Sequence, residues 1–319
     1  MGTTQSKSIE QSCTNGTDHS SLAKFRIPWI RRRTSSQSVN LPLEGIFDLE
    51  NADTVEKNHL ANDAVSFILR KSICSPVVQP ERIILLLVGP SSWPRSVAMT
   101  YPAAEVIALD VSYHSTQKVA LHEEEAEPLP GNLSMRSLNL FKPLDFPSGY
   151  ADVVAVRSLL RVAPSSTWLT VMRECSRILK EGGWMENIDT DYLRWNPGMP
   201  SLVANRITER VMARRGIDIS LAHNIPAVFN DLHYIHLRNG SMDIPIGDWG
   251  GVIGQIQAKV AIRFLNLFRH ALETEGDQRS ILEFDQVYPG WLQELETSET
   301  FNRYFITFGQ KPISPSPEP

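Results

Sequence analysis

The sequence predicts an α/β fold: a mostly parallel, seven-stranded sheet with helices on both faces and a helical insertion before the last strand. Three observations predict it. Apolar runs such as "RIILLLVG" (82–89) and "AEVIALD" (104–110) are continuous rather than alternating, which suits strands buried on both faces. Segments of helical period separate these runs, and strands alternating with helices imply parallel βαβ units. Late in the chain the order changes to long helices and then "FNRYFITFGQK" (301–311), which alternates aromatic and polar residues as a closing strand does.

The first element is a helix over "NADTVEKNHLANDAVSFILRK" (51–71). Val55, Leu60, Ala64, Phe67 and Ile68 recur at helical spacing, and Asp53 or Thr54 can cap its start. "RIILLLVG" is the first strand, followed by a tight turn, a helix and the second strand "AEVIALD". "NLSMRSLNL" (132–140) and "ADVVAVRS" (151–158) read as the third and fourth strands. In "STWLTVMRECSRILKEGG" (166–183), Trp168, Val171, Met172, Cys175, Ile178 and Leu179 form an apolar stripe, and Gly182 is the expected stop. "GGWMENID" (182–189) follows as the fifth strand. Beyond Asp191 a helix is expected over 201–216, a short helix and strand over 224–247, and a long helix over 252–273. A late strand pair interrupted by helices covers the open end of such a sheet.

Four phrases carry a resemblance to a known family. They are "YPAAEVIALDVS" (101–112), "NLFKPLDFPSGYADVVAVRSLL" (139–160), "WLTVMRECSRILKEGGWMENID" (168–189) and "DIPIGDWGGVIGQIQ" (243–257). In this order they resemble class I S-adenosylmethionine-dependent methyltransferases, with their Rossmann-like fold. More narrowly, they are similar to the fungal group related to the secondary-metabolism regulator LaeA and the UMTA-type enzymes. The resemblance covers about residues 40 to 311. It implies S-adenosyl-L-methionine as cofactor, bound at the carboxyl ends of the strands near the switch point of the sheet.

The resemblance also assigns residues. Gly89, Pro90 and Ser91 form the turn after the first strand, where glycines let the backbone approach the ligand. Asp110 ends the second strand, where the family's acid accepts from both ribose hydroxyls, a task a carboxylate suits. Asn139 matches the position near the adenine amino group, and Arg157 follows the fourth strand, where it can meet the cofactor's carboxylate. Two departures stand against the pattern. "GPSSW" (89–93) is about two residues shorter than the usual turn, and Leu87 replaces the acid two residues before the first glycine. Pro90 removes one backbone donor as well.

Methyl transfer is a one-step displacement, for which a protein mainly supplies positioning and a dry pocket. An oxygen or nitrogen acceptor also calls for a base, and His114, His223, His233 and His236 are the titratable candidates. No catalytic residue is assigned, since no spacing singles one out. Trp93, Trp184, Trp195 and Trp249 suit either core packing or an apolar acceptor site. The amide-methylating tetrapeptide is absent after the fourth strand, which argues against DNA adenine or glutamine as acceptor. The first turn is not G-x-G-x-x-G, which argues against a dinucleotide dehydrogenase. Two readings remain: an enzyme acting on a small molecule or a protein, and a non-catalytic module of the same fold with a degenerate cofactor turn.

Composition bounds the setting. The 319 residues carry a net charge of -5, which argues against a general nucleic-acid binder. Cys13, Cys74 and Cys175 are widely spaced, so neither a metal site nor a disulfide framework is expected. No run of about 18 apolar residues exists, and the polar start lacks a secretory core, so a cytoplasmic location is expected. Residues 1–40 are rich in Ser, Thr, Gln and Asn and are expected to be disordered. The folded domain is expected over 41–311, and 312–319 form a Pro/Ser tail. "MGTTQSKS" fits N-myristoylation at Gly2. A second membrane signal is available in Lys24, Arg26 and Arg31–Arg33 with Phe25, Trp29 and Ile30, and Cys13 is a palmitoylation candidate. Phosphate at Thr34, Ser35 or Ser36 would cancel that charge. The triple arginine also allows nuclear import.

Overall fold

The computed structural model describes residues 52–89, 91–112 and 128–313. Pro90, His114, Gly2 and the N-terminal basic cluster lie outside them. Helix α1 (Ala52–Leu69) precedes strand β1 (Arg82–Leu87), helix α2 (Trp93–Thr100), and strands β2 (Glu105–Asp110), β3 (Leu133–Ser137) and β4 (Ala151–Arg157). Helix α3 (Ser165–Ile178) leads into β5 (Leu179–Trp195). Helices α4 (Met199–Arg214) and α5 (Leu221–Asp231), strand β6 (Ile235–Pro245), helices α6 (Gly251–Glu275) and α7 (Gln278–Thr297), and strand β7 (Phe301–Gln310) complete it.

The seven strands form one sheet in the order β3-β2-β1-β4-β5-β7-β6. The first five run parallel, and β7 is antiparallel to both β5 and β6. This is the expected Rossmann-like, methyltransferase-type sheet, with its late strand pair and helical insertion. The continuous apolar runs have the expected cause. Ile84, Leu86, Ile107 and Leu109 pack on the face covered by α3, while Ile83, Leu85, Leu87, Val106 and Ala108 pack under α2. Each strand buries both of its faces, so period-two alternation has no reason to appear. Strand order reverses between β1 and β4, so their carboxyl ends open a crevice that the flanking strands do not cross.

Three details differ from the sequence expectation. Helix α3 ends at Ile178, not at Gly182, because Leu179 is already extended and pairs with Ala151 of β4. Gly182, with φ of +76°, instead lies inside a 17-residue β5 whose register slips between the pairs at Ala151 and Val153. Helix α7, with Pro289 and Gly290 in its middle, lies in a stretch for which no element was expected. A Cβ at Gly290 would lie 3.0 Å from the Pro200 ring of α4, so the glycine permits close helix contact there.

The third difference positions the site. The stripe expected to face the core in α1 includes Phe67, which is 61% exposed. The buried side instead carries Thr54, Lys57, Asn58 and Asn62 beside Ala61, Ala64, Val65 and Leu69. This half of α1 caps the strand tips, where backbone carbonyls and ionisable groups require polar partners.

Candidate functional site

The crevice is built from the segments that leave the strand tips. After β1 the chain turns at Gly89, with φ of +86°. A side chain there would put its Cβ 2.6 Å from the Asn58 Cβ of α1, so only glycine fits this turn. The Gly89 N–H donates to Asp110 Oδ1 at 2.9 Å, and the Ser112 N–H (2.8 Å) and hydroxyl (2.9 Å) donate to the same oxygen. Asp110 is wholly buried at the tip of β2, tying two loops together through one carboxylate oxygen. Val88 O accepts from Asn62 Nδ2 at 3.1 Å, and Asn58 Oδ1 is buried without a hydrogen-bond partner.

Helix α1 is clamped onto the turn a second time. The Ser92 N–H and hydroxyl both donate to Asp63 Oδ1, at 3.2 and 2.7 Å, and His59 lies 3.1 Å from the same carboxylate. Burial alone would raise the Asp63 pKa, but the hydrogen bonds from His59 and Ser92 outweigh it and hold the acid below its usual range.

The residues singled out in the sequence divide into two groups. Gly89 and Asp110 meet at the crevice, and Ser91 stands beside them with its hydroxyl accepting from the Trp93 N–H at 3.1 Å. Asn139 is exposed, and its Oδ1 accepts from the Phe141 N–H at 2.9 Å to close a local turn. Arg157 is the last residue of β4 and points into the protein rather than toward its mouth. Its guanidinium stacks 3.9 Å over the Trp93 ring and donates to Ser66 Oγ and Ser72 O. Burial lowers its pKa to about 10 against the opposing pull of Glu186. Pro90 lies outside the described residues.

The tryptophans and histidines also separate. Trp93 is buried under the sheet and donates to Ser72 O at 2.7 Å, so its indole does not fill the crevice. Trp184 packs with Phe308, and Trp249 is 43% exposed. His233 and His236 are exposed. His223 is exposed as well, but it has a partner. Its Nε2 lies 2.8 Å from Asp191 Oδ2, an acid wholly buried at the end of β5, and its ring is 4.5 Å from Phe305. The two residues are 32 positions apart, so no local pattern announces the contact.

Sequence reasoning missed the other half of the crevice. Between α1, α6 and the tips of β5 and β7 lies a small, partly open cavity of about 40 Å³. Lys57, Arg161 and Arg194 line it, with Tyr192, Tyr304 and Gln257. Arg161 sits on the short turn after β4, where the Leu160 N–H donates to Asp189 Oδ2 at 2.9 Å. Burial raises the Asp189 pKa to about 7, opposed by these N–H groups and by Arg161. Burial, reinforced by Arg161, drives the Lys57 pKa well below the usual lysine value, and its ammonium lies 5.5 Å from the Phe264 ring centre. Burial lowers the Arg194 pKa to about 9 against the nearby Glu294, and the guanidinium stacks 4.3 Å over Trp291. The available signal was compositional: a lysine and two asparagines on one side of a helix, and four charged residues in "ENIDTDYLR".

Comparison with known proteins finds methyltransferases. Residues 84–183 match the family model for the methyltransferase domain. Methyltransferase str3 of Strobilurus tenacellus is 28% identical over 138 residues, 43% of this chain and 46% of that protein. The matched region thus spans less than half of that relative. Methyltransferase str2 of the same organism is 25% identical over 236 residues, 68% of this chain and 76% of that protein. Among solved structures, phosphoethanolamine N-methyltransferase 2 of Haemonchus contortus in complex with S-adenosyl-L-methionine is 14% identical with a TM-score of 0.43, covering 75% of this chain and 50% of that one. The matched segment and the two Strobilurus relatives support a class I S-adenosylmethionine-dependent methyltransferase.

Proposed function

We propose that this chain transfers a methyl group from S-adenosyl-L-methionine to a small-molecule or protein acceptor, within the LaeA-like and UMTA-type group and in fungal secondary metabolism. The observation that carries the reading is the Gly89–Asp110 hydrogen bond at the reversal point of a β3-β2-β1-β4-β5-β7-β6 sheet. The residues fit such a ligand in kind. Asp110 offers an anionic acceptor to a ribose diol, Gly89 allows close backbone approach, and the unpartnered Asn58 Oδ1 suits a ligand ammonium. When bound, the cofactor supplies an electrophilic methyl on a sulfonium. The chain's part is to orient it and to exclude water, the latter through α1.

Space is the open condition. Nucleotide-sized ligands take pockets of roughly 300–1,000 Å³. The cavity between α1 and the β5–β7 tips is about 40 Å³, and Asn58 rests against Gly89. Entry therefore requires α1 to lift, breaking the Asp63–Ser92 and Asn62–Val88 hydrogen bonds. The same packing favours the second reading, a non-catalytic module whose crevice α1 keeps shut. Calorimetric titration with S-adenosylhomocysteine separates the two. A micromolar dissociation constant supports the enzyme, and absence of heat retires it.

The N-terminus belongs to the same proposal. Acylated Gly2, with the basic cluster that follows, would bring the protein to a membrane surface. Intact-protein mass spectrometry that finds no acyl chain on Gly2 removes that part. No helix among the described residues is long and apolar enough to cross a membrane.

A further inference from the structure

We propose that the small cavity at the β5–β7 tips seats the carboxylate of the methyl acceptor, so that the transferred methyl forms an ester. The proposal rests on the methyltransferase reading.

Charge is the first argument. Lys57, Arg161 and Arg194 all line the cavity, and no carboxylate does among the described residues. Asp189 stands beside Arg161 and Glu294 beside Arg194, leaving three bases against two acids in a water-poor interior. Each of the two guanidinium groups keeps a buried Nε–H without a hydrogen-bond partner. Buried donors of this kind are rare and costly unless a ligand takes them. Both arginines are themselves 4% exposed, so solvent does not serve them. An arriving anion would also restore the Lys57 charge that burial and Arg161 suppress.

Size is the second argument. One water needs roughly 10–15 Å³ of such space. About 40 Å³ therefore holds a small group such as a carboxylate. The walls suit the same group, since planar guanidinium donors match planar carboxylates.

Chemistry is the third. A carboxylate oxygen gives a lone pair to the sulfonium methyl carbon, and the carbon–sulfur bond breaks with its electrons passing to sulfur. The products are a methyl ester and the neutral thioether S-adenosylhomocysteine. No proton leaves the acceptor, so no base is required. This agrees with a cavity that has no histidine among its described lining residues; His223 and Asp191 are not part of its wall.

Thermal denaturation of the full chain tests the proposal. Acetate, its neutral isostere acetamide and inorganic phosphate are compared at constant ionic strength, each with and without saturating S-adenosylhomocysteine. Acetate is expected to raise the midpoint in both conditions, acetamide to leave it unchanged, and phosphate to act far more weakly. Arg194→Gln should weaken the apparent acetate affinity about tenfold or more, as should Lys57→Met. If either variant fails to fold, the acetate–acetamide contrast in the natural protein stands alone. An equal response to acetate and phosphate, or no response to acetate, overturns the proposal. So does an acetate response that vanishes when S-adenosylhomocysteine is bound, which would assign the cavity to the cofactor's own carboxylate. If S-adenosylhomocysteine binds and acetate has no effect, only the acceptor proposal fails. If S-adenosylhomocysteine does not bind at all, the methyltransferase reading fails, and the acceptor proposal with it.

Discussion

The two ends of the crevice solve the same problem differently. At the β1–β2 end, most polar groups satisfy one another: Asp110 takes the Gly89 and Ser112 donors, Val88 O takes Asn62, and Asp63 takes Ser92, while Asn58 Oδ1 has no partner. At the β5–β7 end, three bases surround a small void, and two buried guanidinium N–H groups find no acceptor. A network of satisfied hydrogen bonds is rigid and gains little from a ligand. A buried surplus of donors costs stability until something anionic arrives. The contrast leaves the first end largely tied together, with Asn58 Oδ1 still open to a ligand, and the second short of acceptors for its buried guanidinium donors.

The largest expected effect breaks the closed end. Gly89→Ala forces a side chain into left-handed backbone and against Asn58 Cβ. It should cost about 2–4 kcal/mol in denaturant unfolding. Asn58→Gly removes the opposing Cβ and should recover part of that loss in the double variant. Full additivity would show that α1 does not press on the turn.

The next effect concerns the donor-rich end. The Asp189 pKa is raised in the folded state to about 7, so the native protein holds the proton more tightly than the unfolded chain. Asp189 therefore lowers stability as pH climbs from about 4 to about 7, and the loss is complete above that window. Asp189→Asn lacks this loss, so its stability relative to the natural protein should rise across the window by a few kcal/mol. Parallel pH profiles would show Asp189 already ionised and paired with Arg161, against the raised pKa that burial gives it.

Asp110→Asn keeps the shape of the closed end but removes its charge. Affinity for S-adenosylhomocysteine should fall about tenfold, read by calorimetry, with stability reduced by about 1–2 kcal/mol. Unchanged affinity would confine Asp110 to its loop-tying role. Asn139→Ala should matter least. It removes one exposed turn hydrogen bond, worth about 0.5–1 kcal/mol. A tenfold loss of affinity there would place Asn139 on the ligand instead.

Gly89 and Asp110 were legible because strand, turn, helix and strand are local, and the residues that matter stand at their joints. Arg157 was less so. Its place at the end of β4 follows from the run "ADVVAVRS", but whether its side chain faces ligand or core depends on Trp93 and Ser72, which only tertiary packing brings near. Helix α1 was found while its buried side was misread. Its polar residues face strand tips rather than apolar core, and periodicity counts only apolar burial. Helix α7 was not expected, and the cost of its Pro289 and Gly290 is met by packing against α4 and by Trp291 buried beneath Arg194.

The amino-acid sequence by itself determined the layered α/β architecture, the strand sequence and the acid at the tip of β2, because burial on both faces writes continuous apolar runs into local stretches of chain. Only the tertiary structure decided what occupies the crevice. Lys57, Arg161, Arg194 and Tyr304 come from four separate elements spread over nearly the whole domain, and their meeting depends on long-range closure of the sheet and on the way α1 sits across its tips.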